Sequence, residues 1–428
     1  MKKERFWVNK GGLLYIIEAT AEYLISILVT GSYLATLTTT LGMSDALTGV
    51  ISAFISLGCL FQLLSLFFHK KNPKKFLILF SLLNQILFML LYVIPGVKVS
   101  SGVKNAAFTI VILSAYGIYY FAHPKKITWF TSFIDVKQRG NFTANKEIVS
   151  LITGILFQFG ASAVLDYYKE NGRLNIAFVI MLGVITVLTV IHTLSILFAP
   201  DNELPVKEKI SVFATLKSIF SNKALLKIFL VFIGYYVANY ITTPFIAVYK
   251  INQLGFSLTL VSLFGILSSF TRIFFSRFWG RFADKHSFIT MFKWTLAVKA
   301  AAFLALAFTM PKTAYVTVTI YSILLGIAMG GINNAITNMV FVYSDDETAS
   351  DSLAVCQAIS GTVGFLTTLA ISPFIDYVQK NGNKLFGLPI YAQQVTSIFT
   401  VIIAISIIVF IKFSIEGKEK QCTIQTLK

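Results

Sequence analysis

The sequence predicts an all-α membrane protein, with twelve transmembrane helices in two pseudo-symmetric six-helix bundles. Three observations predict it. The 428-residue chain is 56% hydrophobic and only 13% charged, with a mean hydropathy of +0.75, which leaves too little charge to cover a water-soluble fold. Its apolar residues fall into runs of membrane-spanning length. Its two halves carry weakly similar segments at corresponding places, as transporters built from parallel repeats do.

The apolar runs cover 11–36, 45–68, 76–96, 105–133, 142–166, 174–198, 223–249, 257–279, 288–309, 313–342, 350–376 and 391–414. None alternates polar and apolar residues, which excludes a transmembrane β-barrel. The N-terminus, MKKERFWVNK, is basic, but the run behind it is too long for a signal-peptide core and reads as an uncleaved first span. The longest polar interruption, 199–222, separates an N-terminal bundle (1–198) from a C-terminal bundle (223–414), and a tail follows at 415–428. Within the interruption Ile210, Phe213, Leu216, Ile219 and Phe220 recur at helical spacing, which predicts a short helix lying on the membrane surface.

The net charge of +17 lies in short clusters between the apolar runs, not along one basic stripe, which argues against nucleic acid as a partner. With both termini inside, the inner segments with their flanking helix ends (1–10, 69–75, 135–147, 199–223, 277–287, 343–350 and 412–428) hold 22 Lys and Arg and the outer segments 8. That bias places the N- and C-termini in the cytoplasm, and the compact loops suit a bacterial inner membrane. Asn141-Phe142-Thr143 fits a glycosylation sequon but falls on the inner side, so it is read as coincidence. Cys59, Cys356 and Cys422 form no CxxC or Cys/His cluster, so neither a disulfide framework nor a metal site is expected. No Walker A motif, nucleophile–base pairing or cofactor motif stands out, so no cofactor and no enzymatic activity are expected.

The repeat carries the most specific motif. SRFWGRFADKHSF (276–288), after the eighth run, aligns with LSLFFHKKNPKKF (64–76), after the second, and GIYYFAHPKKITW (117–129) aligns with GIAMGGINNAITN (326–338). The stretch WGRFADKH resembles the loop motif G-x-x-x-D-[RK] of the major facilitator superfamily, with Gly280, Asp284 and Lys285 in the matching places and Arg281 between them. DVKQRGNFTANKE (135–147) is similar to that family's entry to the fifth helix, with Arg139-Gly140 as its Arg-Gly pair, and TTPFIAVYKINQLGFS (242–257) has the look of the end of its seventh. The resemblance covers nearly the whole chain. The first-half loop departs from the motif, with Asn72 in place of the acid and Phe68 in place of the glycine. The resemblance implies a 6+6 fold working by alternating access, gated at the loop motif. There Gly280 would let the eighth helix approach a neighbour, and Asp284 would cap a helix N-terminus and pair with an arginine. The plainer alternative makes Arg281 and Lys285 positive-inside anchors.

Two carboxylates then need explaining. Glu18 and Glu22 lie four residues apart in the first run, hence on one helix face. A charge at mid-bilayer costs about 2.5–3.5 kcal/mol on insertion scales, so such a stripe faces a cavity, protons or cations. The fourth run offers His123, Lys125 and Lys126 at matching depth, and the resemblance implies that the first and fourth helices both line the central cavity. Pro124 leaves two placements open: the helix ends there and the lysines are loop charges, or it continues through the apolar ITWFTSFI (127–134) and embeds them. Desolvation and a nearby ammonium pull a carboxyl's proton affinity in opposite directions, and their balance can bring it near physiological pH; His123 titrates near that range unaided. A static salt bridge is the alternative.

Other polar residues sit in runs that the resemblance places around the cavity: Tyr235, Tyr236, Asn239 and Tyr240 in the seventh, Arg272 in the eighth, and Asn333, Asn334 and Asn338 in the tenth. Aromatic faces with amides suit a polar organic ligand, and a mid-helix guanidinium makes a carboxylate or phosphate clamp. Equally, single amides can glue helices together. Lys299, in the peripheral ninth run, has no evident role beyond snorkelling or pairing. The sequence thus reads as a monomeric, proton-coupled symporter of a small polar organic solute, with a proton or other coupling ion and the lipid bilayer as further partners. Glu18, Glu22, His123, Lys125, Lys126, Tyr236, Asn239, Arg272, Asn333 and Asn334 are its candidate site. An efflux pump for amphipathic compounds and a transporter-like receptor that binds without moving its ligand remain open.

Overall fold

A computed structural model describes residues 10–65, 72–134, 139–201, 212–344 and 349–416. Its helices are α1 (Lys10–Leu28), α2 (Gly31–Thr40), α3 (Asp45–Ser52), α4 (Phe54–Ser65), α5 (Lys74–Val93), α6 (Ser101–Thr131), α7 (Arg139–Glu170), α8 (Leu174–Phe198), α9 (Val212–Ser221), α10 (Lys223–Tyr240), α11 (Ile246–Val248), α12 (Leu258–Lys285), α13 (Phe288–Ala307), α14 (Ala314–Tyr343), α15 (Ala349–Lys380) and α16 (Ala392–Ile411). They supply twelve segments long and apolar enough to cross a membrane. The fold is the all-α, two-bundle membrane architecture expected from the sequence. The β structure among the described residues is one hairpin, Lys384–Leu385 against Leu388–Pro389.

Several runs that read as continuous are broken for local reasons. α1 stops at Leu28 and the chain restarts as α2 at Gly31, whose φ of +54° is a conformation that glycine adopts without a Cβ penalty. The seventh span leaves α10 through a 3₁₀ turn, Thr243–Phe245, that holds Pro244, then passes α11 and a π-turn, Tyr249–Gln253; Pro244 offers no N–H to an α-helical ladder. Pro124, in contrast, lies inside α6 without ending it, so Lys125 and Lys126 are helical residues. The short helix expected on the membrane surface is α9. It buries Thr215 and Ile219 and leaves Phe213 and Phe220 exposed, an uncovered apolar face suited to an interface. Ile210 lies outside the described residues.

The described residues within Met1–Ser44, Leu60–Lys209 and Phe256–Ser262 form one compact unit. Those within Asp45–Cys59, Ile210–Gly255 and Leu263–Lys428 form the other. In the first unit α1 packs on α7 and α8, and α5 packs on α6 and α8. Tyr15, Phe76, Leu77, Ala122, Trp129, Phe130 and Ile196 make a core there, with Tyr15 and Phe130 stacked at 4.7 Å. Asp166 ties down the start of α12 by accepting from the backbone N–H of Leu258 at 2.9 Å and of Thr259 at 2.6 Å, a carboxylate at a helix N-terminus.

In the second unit α13 packs on α14 and α16, and α10 packs on α15 and α16. Ile246, Tyr249, Ala302, Phe303, Leu306 and Tyr321 form a core. Asp45, at the start of α3, is buried and accepts from Asn252 Nδ2 at 2.6 Å, Gln379 Nε2 at 2.8 Å and Gln253 Nε2 at 2.9 Å. Three amide donors thus satisfy a carboxylate that no cation pairs with by an ion pair among the described residues.

Candidate functional site

The acid stripe on α1 lies in the first unit and meets α6 and α8. Glu18 is 1% exposed. Lys126 Nζ lies 2.7 Å from Glu18 Oε1 and also pairs closely with Glu22 Oε2. His123 Nδ1 stands 3.6 Å from Glu22 Oε1, and the Tyr119 hydroxyl donates to the same oxygen at 3.5 Å. Tyr119 and His123 stack at 4.6 Å. The helical register explains the grouping: Tyr119, His123 and Lys126 are spaced i, i+4, i+7 on α6 and so share a face.

Glu18, Glu22, His123 and Lys126 are therefore brought together, and Lys125 is not. Lys125 is half-buried and forms no ion pair among the described residues. One step along a helix turns a side chain by about 100°, enough to aim Lys125 away from the face that Lys126 occupies.

Sequence reasoning missed His192. It is fully buried on α8, with Nε2 2.7 Å from Glu18 Oε1 and 3.5 Å from Glu22 Oε2. A signal for it existed: it is the one ionisable residue in the apolar stretch of α8. It sits six residues from that helix's end while Glu18 sits eight from the start of α1.

Exposure divides the cluster. The Glu18 and Lys126 side chains are 1% and 5% exposed, whereas Glu22 is 19% and His123 29%. A small polar pocket opens beside the more accessible pair, lined by Glu22, Ser81, Asn84, Tyr119, His123 and Lys126 with Phe80 and Ala122. Asn84 is held by donating to the Ala115 carbonyl at 2.8 Å. Lys146 approaches from α7, 4.7 Å from the centre of the Tyr15 ring.

The charges do not balance among the groups within ion-pair distance. Two carboxylates face one lysine, so neutrality requires one further proton, held on a histidine or on a carboxyl. Glu18, Glu22 and His192 also present ligand atoms within 4.8 Å of one another, a spacing that suits a metal ion. The Lys126 ammonium contacts both carboxylates and takes the place that a divalent cation would need. The donor set fits a proton better than a metal.

The remaining candidates lie in the second unit. On α10, Tyr236 and Asn239 are half-buried, and Tyr236 stacks on Tyr240 at 5.8 Å. Arg272 is half-buried on α12, and Asn333 and Asn334 are exposed on α14.

The loop motif needs two corrections. A Cβ at Gly280 would meet nothing within 4 Å, so no close approach occurs there. The tight crossing is on α14: a Cβ at Gly326 would collide with the Ser268 carbonyl oxygen, and one at Gly331 would lie 2.9 Å from the Trp279 ring. Nor does Asp284 cap a helix. It is exposed within the last turn of α12, and Ser287 caps α13 by accepting from the Thr290 N–H at 3.2 Å. Arg281 and Lys285 are exposed, and no described group forms an ion pair with Asp284. The Arg139 side chain and Phe68 lie outside the described residues.

The profile of the Major Facilitator Superfamily matches residues 128–368. Comparison with curated protein sequences finds no match. Among solved structures, the chain is similar to the nucleoside transporter NupG, with TM-score 0.70 and 15% identity over 94% of this chain and 100% of that one. It is similar to an auto-inhibited POT family peptide transporter, with TM-score 0.70 and 10% identity over 95% and 97% of the two chains. It is also similar to a D-xylose–proton symporter, with TM-score 0.66 and 12% identity over 93% and 96%.

Proposed function

Since the chain belongs to the major facilitator superfamily, and is a multi-pass transport protein and not an enzyme, we propose that it is a proton-coupled symporter of a small polar organic solute working by alternating access. The observation that carries the reading is the charge imbalance of the α1–α6–α8 cluster. Two carboxylates share one ammonium, and the more accessible carboxylate borders a polar pocket.

In this reading Glu18, Lys126 and His192 form the fixed part, shielded from water, and Glu22 with His123 exchanges the proton. With Glu22 ionised, its carboxylate draws on Lys126 and the Tyr119 hydroxyl. A proton on Glu22 weakens both attractions and frees Tyr119 and His123 to face a solute. Proton and solute then load together, and releasing the proton restores the ion pair and favours release of the solute. Carriers of nucleosides, sugars and peptides share the fold, which supports a small polar cargo. Within the second unit, Tyr236, Asn239, Arg272, Asn333 and Asn334 are proposed as solute-binding residues. Arg281, Asp284 and Lys285, all exposed, and Arg139 are proposed to form the gating motif. The excess of Lys and Arg on alternate loops supports cytoplasmic termini, the compact loops suit a bacterial inner membrane, and the protein is proposed to act as a monomer.

The test is proton movement in sealed proteoliposomes loaded with a pH-sensitive dye. Uridine, D-xylose, alanyl-alanine and gluconate are added outside in turn. At least one should acidify the lumen, and none should do so with Glu22→Gln protein. If none moves protons in the wild type, or Glu22→Gln protein still acidifies the lumen, the reading fails.

A further inference from the structure

The second unit holds a buried cation that the α1–α6–α8 cluster does not explain. Lys299, on α13, is 4% exposed. Its Nζ donates to Asn239 Oδ1 at 2.6 Å and to the Tyr235 hydroxyl at 3.1 Å, and lies 4.6 Å from the centre of the Tyr235 ring and 6.0 Å from that of Phe303. These partners are neutral, and no carboxylate among the described residues forms an ion pair with it. A buried ammonium among neutral groups is costly unless an anion complements it.

Asn239 shows where that anion would bind. An ammonium can only donate, so the amide must turn its oxygen toward Lys299. The Thr243 hydroxyl donates to the same oxygen at 3.2 Å. Both lone pairs of Oδ1 are then engaged, and the hydrogen-bonding capacity left on the side chain is the Nδ2 amino group, a donor. The charge behind the carbonyl polarises the amide and strengthens that donor. Asn239 is half-buried and Thr243 exposed, while Tyr235, Ala238 and Thr242 are buried. Asn239 thus lies on a partly open stretch of α10, next in the chain to Tyr240, whose ring stacks on that of Tyr236.

We propose that Lys299 and Asn239 form an acid-recognition site, in which the Asn239 amino group donates to the carboxylate of an organic acid and Lys299 compensates its charge from behind. Asn239 touches the ligand; Lys299 acts through it as a positioning residue. This deepens the proposed transport by naming its cargo class, and rests on that reading for the ligand being cargo. Binding itself is measured without flux.

The experiment is a thermal-melt series on the full-length purified protein. The probes are succinate, glutarate, gluconate and benzoate, each beside its neutral amide or alcohol counterpart. At least one acid should raise the melting temperature by several degrees, with its neutral counterpart giving less than half that shift. Asn239→Asp is the diagnostic variant, since it supplies Lys299 with an internal counter-ion: it should fold and lose the acid response. Asn239→Ala and Lys299→Gln should each weaken apparent affinity at least tenfold, and they decide the matter if Asn239→Asp does not fold. The proposal is overturned if no acid stabilises the wild type, if acids and neutral counterparts act alike, or if the variants keep the acid response. Any of those results would leave proton coupling at Glu22 standing, since that is read from gradient-driven flux.

Discussion

Replacing Lys126 with methionine removes the ammonium that two carboxylates share while keeping the length of the side chain. The size of the effect follows from exposure. Glu18 is 1% exposed, so water cannot replace the lost partner, whereas Glu22, at 19%, can be rehydrated. The penalty is therefore that of one buried, uncompensated carboxylate, about 3–5 kcal/mol, or roughly a hundredfold to several thousandfold in the folded-to-unfolded ratio. His192 stays 2.7 Å from Glu18 and can compensate by holding a proton. The loss should accordingly be smaller in acid, where a proton is more readily taken up by the Glu18–His192 pair left behind, and larger in alkali. The assay is reversible unfolding in mixed micelles at pH 5.5 and 8.5. Lys125→Met is the control and should stay within about 0.5 kcal/mol of wild type, because Lys125 has no ion pair among the described residues to lose. Glu18→Gln/Lys126→Met should recover more than half of the single-mutant loss, since the pair is removed together. A Lys126→Met protein within about 1 kcal/mol of wild type at both pH values would refute the reasoning, because Glu18 would then be tolerated alone.

Gly326→Ala should destabilise by about 1–3 kcal/mol in the same assay, because the new methyl meets the Ser268 backbone, which cannot swing away. Gly280→Ala should be neutral or stabilising by up to about 1 kcal/mol, since the position is helical and open. Asp45→Ala should cost about 2 kcal/mol or more, leaving the amides of Asn252, Gln253 and Gln379 without their shared acceptor; a melting temperature equal to wild type would show that water replaces it.

What the sequence made legible is what hydropathy and helical period encode. The twelve spans needed only run length. The short helix at Val212–Ser221 needed only spacing. At Pro124 the sequence left two placements open, and α6 takes the one in which the helix continues through the apolar stretch beyond it, because a proline inside a membrane helix is tolerated where neighbours resatisfy the freed carbonyl. The break at Val29–Thr30 was not legible, because it depends on backbone geometry that apolar composition does not encode, and the one at Pro244 was passed over although the proline itself marks it. His192 escaped because a lone histidine in an apolar run has no other ionisable residue on its own helix to mark it, and its partner is on α1. Depth matching of the kind that joined Glu18 to Lys126 would have found it. Asp45 and Asp166 escaped because a lone carboxylate at a helix end looks like an ordinary boundary residue until its amide or backbone donors are placed. Gly280 and Asp284 were misread for the opposite reason: a motif suggested contacts that the local packing does not make.

The central claim is that a proton exchanged at Glu22 is tied to solute movement. Its most direct test is accumulation of labelled uridine, D-xylose, alanyl-alanine and gluconate in proteoliposomes, with and without an inward-directed proton gradient, for wild type and Glu22→Gln. The account predicts that at least one solute accumulates in the wild type only when the gradient is present. It predicts that Glu22→Gln protein exchanges the same solute across the bilayer but does not concentrate it. Accumulation that ignores the gradient, or that Glu22→Gln protein matches, would contradict it.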